Sequence, residues 1–317
     1  MNLNRIPALK ILMAGVLLFI IAPLHSQDTT LLVDQKVVTL KEVVVRNNMD
    51  IPSFIRRIQF DTSFYRAFKN LRQLNYSSIN DIRMMDKKGK IIASLESTIR
   101  QTVENDCRQM EVLKETIGGD LKNRKNEWNY YTAEMYAALF FTEGLVCGAQ
   151  QSVAEAELSL KKKKGLNKHK EQLKMLFFNP GRKIPGIPFI GNKINIYESP
   201  MARLYDFEMD MEYYQGRNAY TFKITPRPNL TDVERSSIVI NQINTWFDAS
   251  DMRIIARSYD MSYNTGVYDF NVQMEVEMGK LNDLLVPITI RYIGNWKVAT
   301  KKRERGIFTA TIFQLSE

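Results

Sequence analysis

The stretch YDFNVQMEVEM, from Tyr268 to Met278, alternates apolar and polar residues without a break. Tyr268, Phe270, Val272, Met274, Val276 and Met278 fall on one side of it, and Asp269, Asn271, Gln273, Glu275 and Glu277 on the other. A period of two over that length is a β-strand with one dry and one wet face. The same pattern recurs on both sides. Upstream, Tyr205, Phe207, Met209, Met211 and Tyr213 alternate with Asp206, Glu208, Asp210 and Glu212, and Tyr220, Phe222 and Ile224 follow a Gln215–Asn218 turn. Downstream come Leu284, Val286, Ile288, Ile290 and Tyr292. Short turn signals at DASD, YNTG, GKLN and GN imply antiparallel neighbours. About eight such strands must curl to cover their apolar face. At the joint WFDASD, Trp246 ends one strand, Asp248 caps a turn, and MRIIARSY returns beside it.

The chain ahead of this meander is more mixed. Helical spacing of Phe64, Phe68 and Leu71, with Asp61 or Thr62 as cap, predicts a helix in DTSFYRAFKNLRQL. INDIRMMDKKGKIIASLE reads as a hairpin turning at Lys88-Gly89. RQMEVLKET and EWNYY are further strand candidates, and TAEMYAALFF is a helix opening at Thr132. Ser152 and Glu155 form a capping box, Gly165 interrupts that helix, and Asn179–Gly181 stops it. The organisation expected is a signal peptide at 1–26, an extended segment at 27–60 and one domain at 61–317. That domain divides into a helix/hairpin part (61–151), a basic helical part (152–200) and the antiparallel meander (201–317). The fold class is α+β, a large curved antiparallel sheet forming a half-barrel, with helices packed on its concave face.

The first residues favour export. Arg5 and Lys10 precede an apolar run, Ile11 to Ala22, too short to span a bilayer and followed by the small Ser26. The expected location is the periplasm or the periplasmic face of the outer membrane. An oxidising compartment allows the two cysteines, Cys107 and Cys147, to pair; two buried free thiols are the alternative. The formal charge of +9 is uneven. Lys161, Lys162, Lys163 and Lys164 open a basic run reaching Lys183 that only Glu171 opposes. Such a run is either a solvated helix face or a contact for anionic headgroups. It lacks the aromatic residues that single-stranded nucleic acid stacks on, so nucleic acid is not expected as a partner.

Two resemblances add to this reading. The elements Tyr220-Thr221-Phe222, Trp246-Phe247-Asp248, Tyr268-Asp269-Phe270, Val286-Pro287 and Gly294-Asn295-Trp296 resemble the half-barrel of the periplasmic outer-membrane lipoprotein carrier (LolA-like) superfamily. TLKEVVV, from Thr39, resembles the end of a carboxypeptidase-regulatory-like domain. With YYTAEMYAALFF and FNPG, it is similar to uncharacterised envelope proteins carrying that remnant. The carrier resemblance implies an incomplete barrel, helices as a lid, and a concave interior that takes acyl chains. A Met-rich apolar face suits varied chains, but it equally suits a sealed core.

The candidate cavity residues are Tyr205, Phe207, Met209, Tyr220, Phe222, Trp246, Tyr268, Phe270, Met274 and Ile288. The expected partner is a lipid, a lipidated protein or an outer-membrane protein. The oligomeric state stays open. Catalysis has little foothold: there is no nucleophile elbow, no phosphate-binding glycine loop and no cofactor motif. Only His25 and His169 could serve a metal, and the carboxylates two apart on one strand stand too far apart to share an ion, so no metal is expected. A non-enzymatic binding protein, a self-packed interaction module and a carboxylate-dependent hydrolase are the three functional classes left.

Overall fold

The computed structural model describes residues 29–33, 36–40, 51–148, 180–182, 190–264, 268–298 and 302–317. The leader, the capping box at Ser152, His169 and the Lys161–Lys164 run lie outside the described residues. In chain order the elements begin with β1 (Thr29–Val33), β2 (Lys36–Leu40), α1 (Ile51–Phe60), α2 (Ser63–Asn70), β3 (Asn75–Met85), β4 (Ile91–Glu104) and β5 (Cys107–Gly119). They continue with α3 (Tyr131–Phe140), β6 (Val146–Cys147), β7 (Tyr205–Tyr214), β8 (Arg217–Pro226) and α4 (Asp232–Arg235). The last strands are β9 (Ile240–Asp248), β10 (Ile254–Asn264), β11 (Tyr268–Leu281), β12 (Leu284–Val298) and β13 (Glu304–Ser316).

The thirteen strands among the described residues form one sheet, ordered β1-β2-β7-β8-β9-β10-β11-β12-β13-β3-β4-β5-β6. Neighbours are antiparallel except β2 and β7, which touch in parallel at Leu40 and Phe207. The meander expected from the alternation is therefore present, and the fold class is as expected. The last strand, β13, pairs with β3, so the N-terminal hairpin extends the same sheet.

Four local expectations are corrected. The meander of 201–317 has seven strands rather than eight, because Gly294-Asn295 does not turn; β12 runs straight through to Val298. A side chain at Gly294 would collide with the Tyr292 phenol, so the glycine is there for close approach. Residues 51–60, expected to be extended, form α1, because Phe54 and Ile58 four apart both bury. EWNYY adds no strand: Asn123 Oδ1 accepts from Lys125 N and Glu127 N, and that turn leaves one isolated bridge, Lys122 to Trp128. The start of α3 is capped not by Thr132 but by β13, whose Glu304 carboxylate accepts from Tyr131 N and Thr132 N, each at 2.8 Å.

The helices follow from their buried spacing. In α2, Phe64, Phe68 and the following Leu71 are buried, as their spacing implied. Asp61 ties α1 to α2 by accepting from Ser63 N and Ser63 Oγ. The two cysteines pair, and their bridge holds β6 to the start of β5.

Candidate ligand-binding face

The strand register lines up the concave face in rows. One row runs Phe207, Ile224, Ile243, Tyr259, Met274, Tyr292, Phe308, Ile82 and Leu95, crossing from β7 through β13 to β4. Every member is buried. Two residues further along each strand lies a second row: Met209, Phe222, Thr245, Arg257, Val276, Ile290, Ala310, Asn80 and Ser97. This row is also buried, but it carries polar groups in two places.

Helices and one loop cover both rows. From α1, Phe54 meets Phe222 and Phe247 edge-on at centroid distances of 5.8 and 5.3 Å. Tyr197, in the loop before β7, lies 6.2 Å from Phe207. Asn70, at the end of α2, donates to Leu285 O of β12. Tyr136 of α3 packs 4.4 Å from Phe308, which in turn stacks on Tyr292. Each buried aromatic is worth roughly 1.5–3 kcal/mol of transfer free energy, so the covered face is the core of the protein as well as its candidate site.

The two polar intrusions differ. Asn80 is satisfied: it accepts from the Tyr136 phenol at 2.8 Å, and its amide donates to Ser78 and Ser97. Arg257 is a cation on a greasy wall. Only 7% of it is exposed. Its Nε donates to Thr245 Oγ1 at 3.0 Å, and its guanidinium lies over the Phe64 ring of α2 at 4.5 Å. Burial pulls its pKa down; Tyr197 and Asp61 act upward against that, and the nearby Arg182 adds to the lowering. Arg182 donates to Asp61 O where α1 meets α2, and burial pulls its pKa down as well. An arginine keeps its charge in such a place. Two guanidinium groups, one phenol and one ring thus gather beneath the α1–α2 junction.

The sequence-predicted residues fall as follows. Tyr205, Phe207, Met209, Phe222, Phe270 and Met274 are buried in the core against this face. Tyr220 and Ile288 are half-buried at its rim, Ile288 at a bulge where it packs over Gly279. Tyr268 begins β11 opposite Val298, and its side chain is outside the described residues. Trp246 is on the wrong face. Its neighbours Thr245 and Phe247 point inward, so Trp246 points to the convex side, where it stacks on Tyr214 at 4.7 Å and donates to Glu212 Oε1. Arg257 was missed; the arginine inside the apolar run of MRIIARSY was the only available signal.

The convex face is wet. A shallow depression of about 370 Å³ there is lined by Gln242, Asn244, Asp260, Gln273, Glu275 and Arg291, among others. Its carboxylates are held by donors: Asp260 by Asn241 and Gln273, and Glu275 by Arg291 at 3.4 Å. An open floor of this kind does not exclude water. Nor is the acid ladder of β7 uniform. Asp206 is buried and paired with Arg227 at 3.3 Å, Glu208 stands opposite Lys223, and on β11 Asp269 binds Arg303. Among the described residues no group of three His, Cys, Asp or Glu could hold a metal ion.

No family model matches the chain, the TLKEVVV stretch included. No curated protein matches it either. Among solved structures it is similar to a putative outer-membrane lipoprotein-sorting protein domain from Vibrio parahaemolyticus. The identity is 9%, with 80% of this chain and 91% of that one covered, at a TM-score of 0.25. A DUF1329 family protein from Desulfovibrio piger gives 10% identity, 80% and 90% coverage and a TM-score of 0.25. A lipovitellin structure concerned with lipid–protein interactions gives 7% identity, 77% of this chain, 25% of that one and a TM-score of 0.22.

Proposed function

We propose that this is a non-enzymatic protein of the bacterial envelope that holds an acyl-bearing ligand, a lipid or the lipidated end of a protein, against the concave face. In the closed form described above α1 and α2 occupy that face, so the ligand enters by displacing them. Arg257 carries the reading. A self-sufficient core gains nothing from a cation there: replacing a buried ion by an apolar side chain of similar size is often neutral or stabilising. A guanidinium lying under a helix junction, on a wall otherwise suited to hydrocarbon, would receive the acidic or phosphate end of an amphiphile. Export by a leader at 1–26 and contact of Lys161–Lys164 with anionic headgroups belong to the same reading.

The test is to purify the protein gently from the envelope and identify bound acyl chains by native mass spectrometry. Binding of a fluorescent fatty acid is then measured alongside. Arg257→Met is expected to weaken that binding at least about tenfold, the worth of one charged hydrogen bond, while thermal stability stays level or rises. Absence of co-purifying lipid together with equal probe binding by the variant would sink the proposal. That outcome would favour a second reading, an outer-membrane interaction module with a permanently closed sheet, which the cover of both rows by helices and a loop supports.

A further inference from the structure

Among the described residues the outer edge of β5 carries only one short strand. β6 pairs with β5 only at Cys107 and Arg108, where the disulfide fixes it. Beyond that, from Gln109 to Gly119, the outer edge has no strand partner among the described residues. Its apolar side chains are bare: Val112, Leu113 and Ile117 are 54%, 42% and 42% exposed. A long edge of unpaired backbone groups with apolar side chains is a template for another strand unless proline, charge or shortness blocks it. Here no proline intervenes, and the charges are arranged for pairing.

The bulge in β5 sets that arrangement. Val112 stands opposite Ile99 and Lys114 opposite Thr98, which leaves Leu113 as the extra residue. Glu111 stands opposite Arg100, two residues from Thr98, so Glu111 and Lys114 lie on the same face of the sheet. A regular strand would put residues three apart on opposite faces. We propose that β5 pairs antiparallel with β5 of a second copy of this chain, about a two-fold axis between Val112 and Leu113. The pairing then runs from Gln109 to Thr116 and ends where β6 takes over the edge. It sets Val112 against the partner's Leu113, and Glu111 against the partner's Lys114, each twice. This self-complementarity of charge is what selects a second copy over an unrelated strand.

The contact is small for a stable dimer, so its dissociation constant is expected on the order of micromolar. Sedimentation of the purified protein across a concentration series reads it directly. Lys114→Glu places glutamate against glutamate twice, Glu111→Lys places lysine against lysine twice, and each is expected to weaken the dimer at least about tenfold. The double exchange, and equally a mixture of the two single variants, should restore association to within about threefold. These are exposed side chains, so circular dichroism should show all three variants folded. A protein that stays monomeric to about 0.5 mM overturns the proposal. So does a dimer that ignores the single exchanges, or one that the double exchange fails to restore.

Discussion

The two faces of the sheet alternate equally well along the chain, but they are built on different rules. On the concave face each row is continuous across nine strands, because the register sets buried residue against buried residue at every step. On the convex face polar side chains bond to whichever neighbour is nearest, as Gln242 does to Asn244 and Gln273 to Asp260. The first arrangement is cooperative and intolerant of change; the second is local and replaceable. What breaks the symmetry is a buried cation inside, Arg257, and an aromatic pair outside, Trp246 and Tyr214.

The largest effect should come from forcing a charge into a row. Met274 is buried between Tyr259, whose phenol donates to its sulfur, and Tyr292. Met274→Glu would bury a carboxyl group in an apolar row and should cost more than about 4 kcal/mol, enough to prevent folding. Asn271→Glu, on the exposed face of the same strand, should stay within about 0.5 kcal/mol. Chemical denaturation of both variants checks the contrast. If the two proved equally mild, the concave face would not be the core.

Next in size is the covalent clamp. The Cys107–Cys147 bridge spans 40 residues and encloses β5 and α3, linking the exposed edge to the buried helix. Replacing both cysteines by alanine should lower stability by about 3–4 kcal/mol on the chain-entropy account. A loss near zero would mean that α3, held by Glu304 and by the Tyr136 ring, fixes that end unaided.

These contrasts show what the sequence alone could reveal. The strands of 201–317 were legible because a period of two persists for ten or more residues, and short turns force the neighbours to be antiparallel. Dry-face residues of single strands, such as Phe270 and Met274, were therefore assigned to the correct face. Trp246 was not, because it sits at a strand end where hydrophobicity competes with register; Thr245 and Phe247 decide its direction, and a threonine is a weak marker of a core. Gly294-Asn295 read as a turn because glycine and asparagine are turn residues, whereas here the glycine gives the Tyr292 phenol room. The β13–β3 pairing depends on contacts far apart in sequence that no local pattern announces, and Arg257 was marked only by its place in the apolar run of MRIIARSY.

A smaller effect separates the faces by pH. Burial pushes the phenols of Tyr259 and Tyr136 well above their ordinary value of 10.0. The unfolded chain releases those protons near 10.0, whereas the folded chain retains them, so the folded form binds more protons once the pH passes that point. Stability should accordingly be unaffected by these groups below about pH 10 and should fall as the pH climbs beyond it. An ultraviolet titration of phenolate should show the core tyrosines ionising only together with unfolding. Core phenolate appearing while the fold stays intact would show that the helical cover opens readily, as displacement by a ligand requires.

The sharpest test sits on two adjacent residues, and its smallest effect falls on Trp246. Phe247 is buried with its ring 5.3 Å from Phe54, so Phe247→Ala should cost about 3–5 kcal/mol and loosen α1. Trp246→Ala removes one stacking partner on a wetted surface and should cost about 1 kcal/mol or less. Its signature lies elsewhere. Tyr214 has its pKa raised to about 12, first by burial and then by Glu275 and Glu277, and the indole of Trp246 is part of what buries it. Removing the indole should bring that pKa back toward 10.0 while leaving the core tyrosines unchanged, which a pH titration followed by nuclear magnetic resonance would resolve residue by residue. A Tyr214 that keeps its elevated value without Trp246 would place the cause in the carboxylates. The aromatic pair would then be two neighbours on a wet surface, with no shielded patch of its own to set against the rows beneath.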